Sequence, residues 1–102
     1  MMVTLSVTRF RIAGVLVEAA DLLAEEGWHP EANPVWRAID RAAGYVPGSG
    51  PSEGESLSLA AWDALSVHLG DEWPLAWELE RTQAEVLAAL RASAAGLKAV
   101  AA

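Results

Sequence analysis

Apolar residues recur at helical spacing through most of this chain, beginning with the stretch from Thr8 to Trp28. One face of that stretch carries Ile12, Val15, Leu16, Ala19, Leu22 and Leu23. A neighbouring stripe of small side chains, which lets another backbone approach closely, carries Ala13, Val17, Ala20 and Ala24. Because only a thin polar edge remains for water, the pattern predicts a central amphipathic helix that begins near Thr8 and ends at Gly27.

A second helix is predicted after a turn. Asn33 is a typical N-cap residue, and Pro34 suits the first helical position. The helix is expected to end at Gly44. Its expected core face carries Val35, Trp36, Ile39, Ala42 and Ala43.

Residues 45–55 are rich in proline, glycine, serine and glutamate, a composition that predicts a flexible loop. Ser56 or Ser58 is expected to cap a third helix that ends at Gly70. The expected core face of this helix carries Leu59, Trp62, Leu65 and Leu69.

The rest of the chain predicts a short helical turn and a fourth main helix. Pro74 fits only a first turn, so residues 75–79 are expected to form one short helical segment. Thr82 and Glu85 have the spacing of a capping box, in which the side chain of each residue accepts a hydrogen bond from the backbone N–H of the other. The fourth helix is expected to end at Gly96, followed by a weakly ordered tail, residues 97–102.

Residues 1–7 alternate between apolar and polar side chains and are predicted to form an extended lead-in. The predicted fold is therefore all-α: one domain, residues 1–102, built as a compact bundle of four main helices plus a short helical turn. Each half that the 45–55 loop separates is too small to fold alone.

The composition narrows the classes of function that the chain can have. The formal net charge of −7 and the scarcity of lysine argue against direct nucleic-acid binding. No run of about 18 apolar residues lacks a charge, so no membrane span is expected. The absence of cysteine and of a secretory signal makes the cytoplasm the expected location.

Several short motifs in this order resemble a family of small uncharacterised actinobacterial and actinophage proteins, a domain of unknown function. The motifs are Ala19-Ala20-Asp21-Leu22-Leu23, Glu26-Gly27-Trp28, Ala42-Ala43-Gly44, His68-Leu69-Gly70, Trp77, Arg81-Thr82 and Glu85-Val86-Leu87. The resemblance covers roughly residues 15 to 95 and implies a helical fold, but no activity. The chain departs from the family at Val35-Trp36 and Glu78-Leu79, where family members often carry Cys-Leu and Asn-Asp.

No residue constellation predicts chemistry, so no catalytic residue, cofactor or metal is assigned. Gly27 and Pro30 break the spacing that would bring Glu25, Glu26, His29 and Glu31 to one metal ion. Asp63 and His68 lack a nucleophile placed by a recognisable turn. The carboxylates around Trp73 and Trp77 are expected to be surface charge near helix ends; they are Asp71, Glu72, Glu78 and Glu80.

The five tryptophans are the most unusual feature of the composition. Trp36 and Trp62 are expected in the core, Trp28 behind the Gly27 cap, and Trp77 under the fourth helix. Trp73 is the best candidate for exposure, the alternative being partial burial against Pro74 and Leu75. An exposed tryptophan beside Asp71 and Glu72 suggests an anchor for a protein partner.

The sequence therefore predicts a non-enzymatic, acidic helical protein that binds another protein in a regulatory or accessory role. The partner is not identified, and a homodimer is possible. One alternative is a small-ligand or hydrolytic site between helices, near His29 or His68. Another is a DNA-mimicking inhibitor, which needs carboxylates at phosphate-like spacing over one face.

Overall fold

Five helices make up most of the part of the chain that the computed structural model describes, which is the backbone of residues 2–48 and 50–101 and the side chains of residues 8–48 and 50–99. They are α1 (Met2–Glu26), α2 (Val35–Ala43), α3 (Glu53–His68), α4 (Pro74–Glu78) and α5 (Gln83–Ala101). The described residues contain no strand, and the prediction of an all-α bundle with one short extra helix is confirmed. None of the helices in the described range has the length and apolarity needed to cross a membrane.

Helix α1 is the centre of the bundle, because it packs against α5, α2 and α3. Its small residues Ala13, Ala19 and Ala20 are fully buried, which lets its neighbours approach closely. The larger members of the core come from four helices; they are Val15, Leu16, Leu23, Val35, Ile39, Leu65, Val86 and Leu90. The predicted role of α1 is thus confirmed.

The two ends of α1 differ in how well the sequence predicts them. Gly27 has a φ of 88° and ends the helix as expected. The other end is not at Thr8, because α1 begins at Met2, so the extended lead-in predicted for residues 1–7 is wrong for residues 2–7; residue 1 lies outside the described range. A lone strand would leave its backbone groups without partners, whereas continuing the helix satisfies them internally.

The end predicted for the last helix is also wrong. Helix α5 passes through Gly96 and continues to Ala101, so residues 97–101 are helical instead of forming a loose tail; residue 102 is outside the described part. A glycine inside a helix costs only about 1 kcal/mol relative to alanine. Leu97, which packs against the core, and the surrounding alanines favour continuation.

The starts of α2 and α3 also differ from the predicted positions. Pro34, not Asn33, is the N-cap of α2, and it supplies no side-chain bond. The Asn33 side chain is used elsewhere, since its Nδ2 donates to Gly27 O at 2.9 Å. Helix α3 starts at Glu53 with Ser52 as its cap, instead of Ser56 or Ser58. The connection predicted as residues 45–55 is therefore shorter at its C-terminal end.

Candidate protein-binding surface

The three residues predicted to bind a partner, Asp71, Glu72 and Trp73, lie together in the turn between α3 and α4. Asp71 has a φ of 64° and its N–H donates to Ser66 O at 2.9 Å, so the turn folds back on the end of α3. All three side chains are exposed. Trp73 is 59% exposed, and this settles its environment in favour of exposure over burial against Pro74 and Leu75.

Trp73 does not stand alone, because its ring meets that of Trp62 on α3. The ring centroids are 6.1 Å apart and the planes are inclined by 82°, an edge-to-face arrangement. Such pairs contribute about 0.5–1.5 kcal/mol beyond the area they bury. The contact therefore gives an otherwise exposed ring a defined position.

Two further side chains extend this apolar area across α2 and α3. Trp36 is 44% exposed and Leu59 is 63% exposed. With Trp62 they line a groove of about 180 Å³ over Ile39. We call Trp36, Leu59, Trp62 and Trp73 together the tryptophan surface.

The prediction that Trp36 and Leu59 lie in the core is wrong, and Trp62, also predicted there, is half-buried and packs against the core. The buried face of α2 is made by Val35, Ala38 and Ile39, and Trp36 lies beside that face. On α3 the buried positions are Ser58, Ala61 and Leu65, so Leu59 points outward and Trp62 is half-buried. Ser58 and Ala61 therefore take buried positions on α3 that the apolar pattern assigned to larger side chains.

The charges around the tryptophan surface are mixed. Asp71 and Glu72 precede Trp73 in the chain, whereas Arg37 and Trp36 line a second shallow groove with Val46. Asp40, between the two grooves, accepts a hydrogen bond from Ser58 Oγ. The Trp73 side of the surface is therefore the more acidic one.

Helix α4, whose N-cap is Trp73, carries a buried carboxylate at its other end. Glu78 is 1% exposed. Its Oε2 accepts hydrogen bonds from Trp28 Nε1 at 2.8 Å and from Val35 N at 3.2 Å. One oxygen thus joins α4 to Trp28, at the start of the α1–α2 connection, and caps the first turn of α2. We call this arrangement the Glu78 anchor.

Burial raises the pKa of Glu78 above its ordinary value of 4.5, because desolvation disfavours the charged form more than the hydrogen bonds from Trp28 and Val35 favour it. Its Oε1 atom is buried without a hydrogen-bond partner among the described residues. The prediction that Glu78 is a surface charge is wrong. The signal available in the sequence was its spacing from Pro74 and Trp77, which share its buried face.

The segment after α4 completes this region. Thr82 N donates to Glu85 Oε1 at 3.0 Å, and Glu85 N donates to Thr82 Oγ1 at 3.3 Å, so the predicted capping box is confirmed. The Arg81 guanidinium lies 5.3 Å from the centre of the Trp77 ring, which is buried as predicted. Gln83 Oε1 accepts from Trp28 N at 3.0 Å, and the Trp28 ring is half-buried, as expected for a residue behind the Gly27 cap.

The residues weighed for metal binding or catalysis do not converge. No group of three or more potential metal ligands occurs among the described residues. His29 Nδ1 accepts hydrogen bonds from the N–H groups of Glu31 and Ala32, which occupies that nitrogen. Asp63 and His68 line a mostly apolar groove of about 550 Å³ among α1, α3 and α5.

No protein-family model, curated protein or solved structure matches this chain. The resemblance to the actinobacterial and actinophage family therefore stays a prediction. Any function must be argued from the geometry of the chain itself.

Proposed function

We propose that this chain is a non-enzymatic protein that binds another protein through the tryptophan surface, in a regulatory or accessory role. The observation that supports this most is the exposure of Trp73 on top of Trp62. Exposed apolar patches on small domains mark interaction sites more often than isolated exposed residues do. Tryptophan is also the residue type most enriched among those that dominate binding energy.

The position of Trp73 reduces the entropic cost of binding. Its ring has an edge-to-face partner, and its backbone is the N-cap of a helix whose first residue is Pro74. A side chain that is ordered before association loses little conformational freedom when a partner covers it. Trp73 is therefore the expected centre of the contact.

Charge favours a partner with basic groups around an apolar centre. The chain carries a formal net charge of −7, and Asp71 and Glu72 flank the proposed centre. Opposite charges at the edge of an interface mainly raise the association rate and depend on salt. Binding should accordingly slow as ionic strength rises.

The test is an affinity capture with three variants, followed by direct binding of the purified partner. Trp73→Ala and Trp36→Ala should each weaken binding, by roughly thirtyfold for Trp73 if it is the central anchor. Phe10→Ala is the matched control, because Phe10 is an exposed aromatic residue on α1 outside the tryptophan surface. Circular dichroism of all three variants should match the unsubstituted protein.

Several outcomes would contradict the proposal. Equal capture of the partner by Trp73→Ala and the unsubstituted chain would remove Trp73 from the interface. Loss of binding in Phe10→Ala alone would move the interface to α1. Sedimentation at increasing concentration tests whether the chain forms a dimer. If it does, and Trp73→Ala converts the dimer to a monomer, the partner is a second copy of the chain.

A second candidate is a small-ligand site in the groove among α1, α3 and α5. Its volume of about 550 Å³ is within the usual range for ligand pockets, and Arg9, Asp63, His68 and Ser93 provide polar groups on a mostly apolar wall. A β-carbon added at Gly96, which also lines the groove, meets no atom within 4 Å, so Gly96→Leu should fill part of the space. Native mass spectrometry that finds a bound molecule lost in Gly96→Leu would favour this candidate.

The DNA-mimic alternative has less support. In the part of the chain that the structure describes, four carboxylates pair with arginines; the pairs are Glu53 with Arg11, Glu26 with Arg41, Glu85 with Arg81, and Asp21 with Arg91. A carboxylate that pairs with arginine is a weak substitute for a phosphate. We therefore make no prediction from this alternative.

A further inference from the structure

Helix α4 is too short to hold its own orientation. It has five residues, from Pro74 to Glu78, whereas isolated helices shorter than about 12 residues are marginal in water. Its position must therefore come from what its side chains contact. This matters for the tryptophan surface because the N-cap of α4 is Trp73.

Three side chains attach α4 to the rest of the bundle. Pro74 and Trp77 are buried, but apolar contacts are not directional and permit sliding or rotation. Glu78 adds the directional contacts, through Oε2, to Trp28 Nε1 at 2.8 Å and Val35 N at 3.2 Å. These two donors come from different segments, so together they define where the C-terminal end of α4 lies.

We infer that Glu78 is a positioning residue for the tryptophan surface: its carboxylate fixes α4 against the start of α2 and thereby keeps Trp73 on Trp62. The consequence for partner binding rests on the proposed function. The position of the Trp73 ring does not, and it can be measured without any partner.

The protonation state of Glu78 should influence this attachment. The charged or titratable residues on the neighbouring segments are Glu25, Glu26, His29, Glu31, Arg37, Asp40, Arg41, Asp71, Glu72, Glu80, Arg81 and Glu85. None of the described ones forms an ion pair or hydrogen bond with the Glu78 carboxylate; Glu26 pairs with Arg41, and Arg81 lies against Trp77 and Glu85. Glu78 is therefore buried without a countercharge.

The neutral form of Glu78 can keep both hydrogen bonds. Oε1 has no partner among the described residues, so a proton placed there leaves Oε2 free to accept from Trp28 and Val35. Protonation also removes the cost of a buried, unpaired charge. We therefore expect Trp73 to be held more tightly below the pKa of Glu78 than above it.

The experiment follows the five tryptophans by ¹⁹F NMR of protein labelled with 5-fluorotryptophan, each signal being assigned with a Trp→Phe variant. Glu78→Leu removes the acceptor, Glu78→Gln keeps an acceptor oxygen without the charge, and Trp28→Phe removes one donor. Glu80→Leu and Glu80→Gln are matched controls, since Glu80 is exposed two residues away.

We expect Glu78→Leu and Trp28→Phe to shift the Trp73 signal toward that of Trp73 in a Trp62→Phe background, while both Glu80 variants leave it unchanged. In the unsubstituted chain the Trp28 and Trp73 signals should titrate together, and in Glu78→Gln neither should follow that titration. If Glu78→Leu does not fold, Trp28→Phe and Glu78→Gln still carry the test. His29→Gln, titrated in parallel, separates any contribution of the histidine.

A Trp73 signal that is insensitive to both Trp28→Phe and Glu78→Gln at every pH would overturn the inference. So would a titration of Trp73 that persists unchanged in Glu78→Gln. Failure of the proposed function looks different: Trp73 would move as expected in these variants, but a partner would bind Trp73→Ala as well as it binds the unsubstituted chain.

Discussion

Trp73 and Glu78 lie at the two ends of α4. The aromatic side chain is exposed and the carboxylate is buried, which is the reverse of what their chemistry favours. The indole is 59% exposed, whereas the carboxylate is 1% exposed and has no countercharge. Large aromatic side chains normally gain by burial, and carboxylates normally lose by it. Both rules are thus broken within six residues of one short helix and its N-cap.

The tryptophan surface and the Glu78 anchor also differ in their contact with solvent. The tryptophan surface leaves apolar area in contact with solvent, where a partner could cover it. The Glu78 anchor removes a polar group from solvent and uses it to join α4, the α1–α2 connection and the start of α2. The buried polar contact thus gives direction to a helix that apolar packing alone would leave poorly oriented.

The largest expected effect is the difference in folding stability between variants of the two tryptophans of this segment, Trp77 and Trp73. Trp77 is buried and lies under the Arg81 guanidinium, so Trp77→Ala should destabilise the fold by about 3–5 kcal/mol. Trp73→Ala should cost no more than about 1 kcal/mol, because it mainly removes an exposed edge-to-face contact. Urea denaturation of both variants measures the difference, and similar midpoints would mean that the exposed and buried positions are not energetically distinct.

Glu78→Leu should have the next largest effect. It leaves Val35 N–H and the Trp28 indole N–H without their acceptor, at roughly 1–3 kcal/mol for each buried donor that finds no water. Removal of a buried charge offsets part of that cost, so we expect a net loss of about 1–3 kcal/mol. Glu80→Leu, at an exposed site, should change stability by less than about 0.5 kcal/mol. A stability equal to or above that of the unsubstituted chain in Glu78→Leu would show that the anchor is not needed for folding.

Thr82→Ala tests a helix cap that the sequence itself supplies, in contrast to the cap that Glu78 supplies to α2 from a distance. Loss of the Thr82 hydroxyl leaves Glu85 N–H to solvent and should cost about 1 kcal/mol, with no change in fold. Thr82→Ser, which keeps the hydroxyl, is the matched control. An unchanged denaturation midpoint in Thr82→Ala would mean that the capping box contributes little.

The smallest expected effect is a pH dependence that isolates Glu78. Because burial raises its pKa in the folded state above 4.5, the folded chain binds that proton more tightly than the unfolded chain does. This contribution to stability is fully present below pH 4.5 and is lost as pH rises through the raised pKa. Glu78→Gln should lack it, so the stability of the unsubstituted chain relative to Glu78→Gln should fall as pH rises.

Other carboxylates change the pH dependence of stability in the opposite direction, and their contribution must cancel in that comparison. Hydrogen bonds from Arg41 lower the pKa of Glu26, and those from Thr82 lower the pKa of Glu85, so their stabilisation is lost as pH falls. Both are present in the unsubstituted chain and in Glu78→Gln. A stability difference between these two proteins that is constant from pH 4 to 8 would contradict the raised pKa.

Sequence reasoning succeeded where one segment determines its own structure. The apolar period of α1, its end at Gly27, the place of Pro74 in the first turn of α4 and the Thr82–Glu85 capping box all depend on residues a few positions apart. The bounds of α4 differ by one residue from the predicted 75–79. The environment of Trp73 does not belong with them, because the sequence left two alternatives, exposure and partial burial against Pro74 and Leu75, and only the structure shows the ring to be 59% exposed. Helix periodicity, caps and turns are short-range properties, so they can be seen in the sequence.

The tertiary structure decided the features that depend on distant residues. Whether Trp36 and Leu59 are covered depends on how α2 and α3 pack against their neighbours, and in the fold the small residues Ala38 and Ala61 are the ones fully buried. The cap of α2 comes from Glu78, 43 positions away from Val35, and no local spacing predicts it. The sequence by itself determined where the five helices lie, but not that the first and the last of them include residues 2–7 and 97–101. Only packing determined which tryptophans face solvent and which carboxylate is buried, because burial depends on neighbours that the fold brings together.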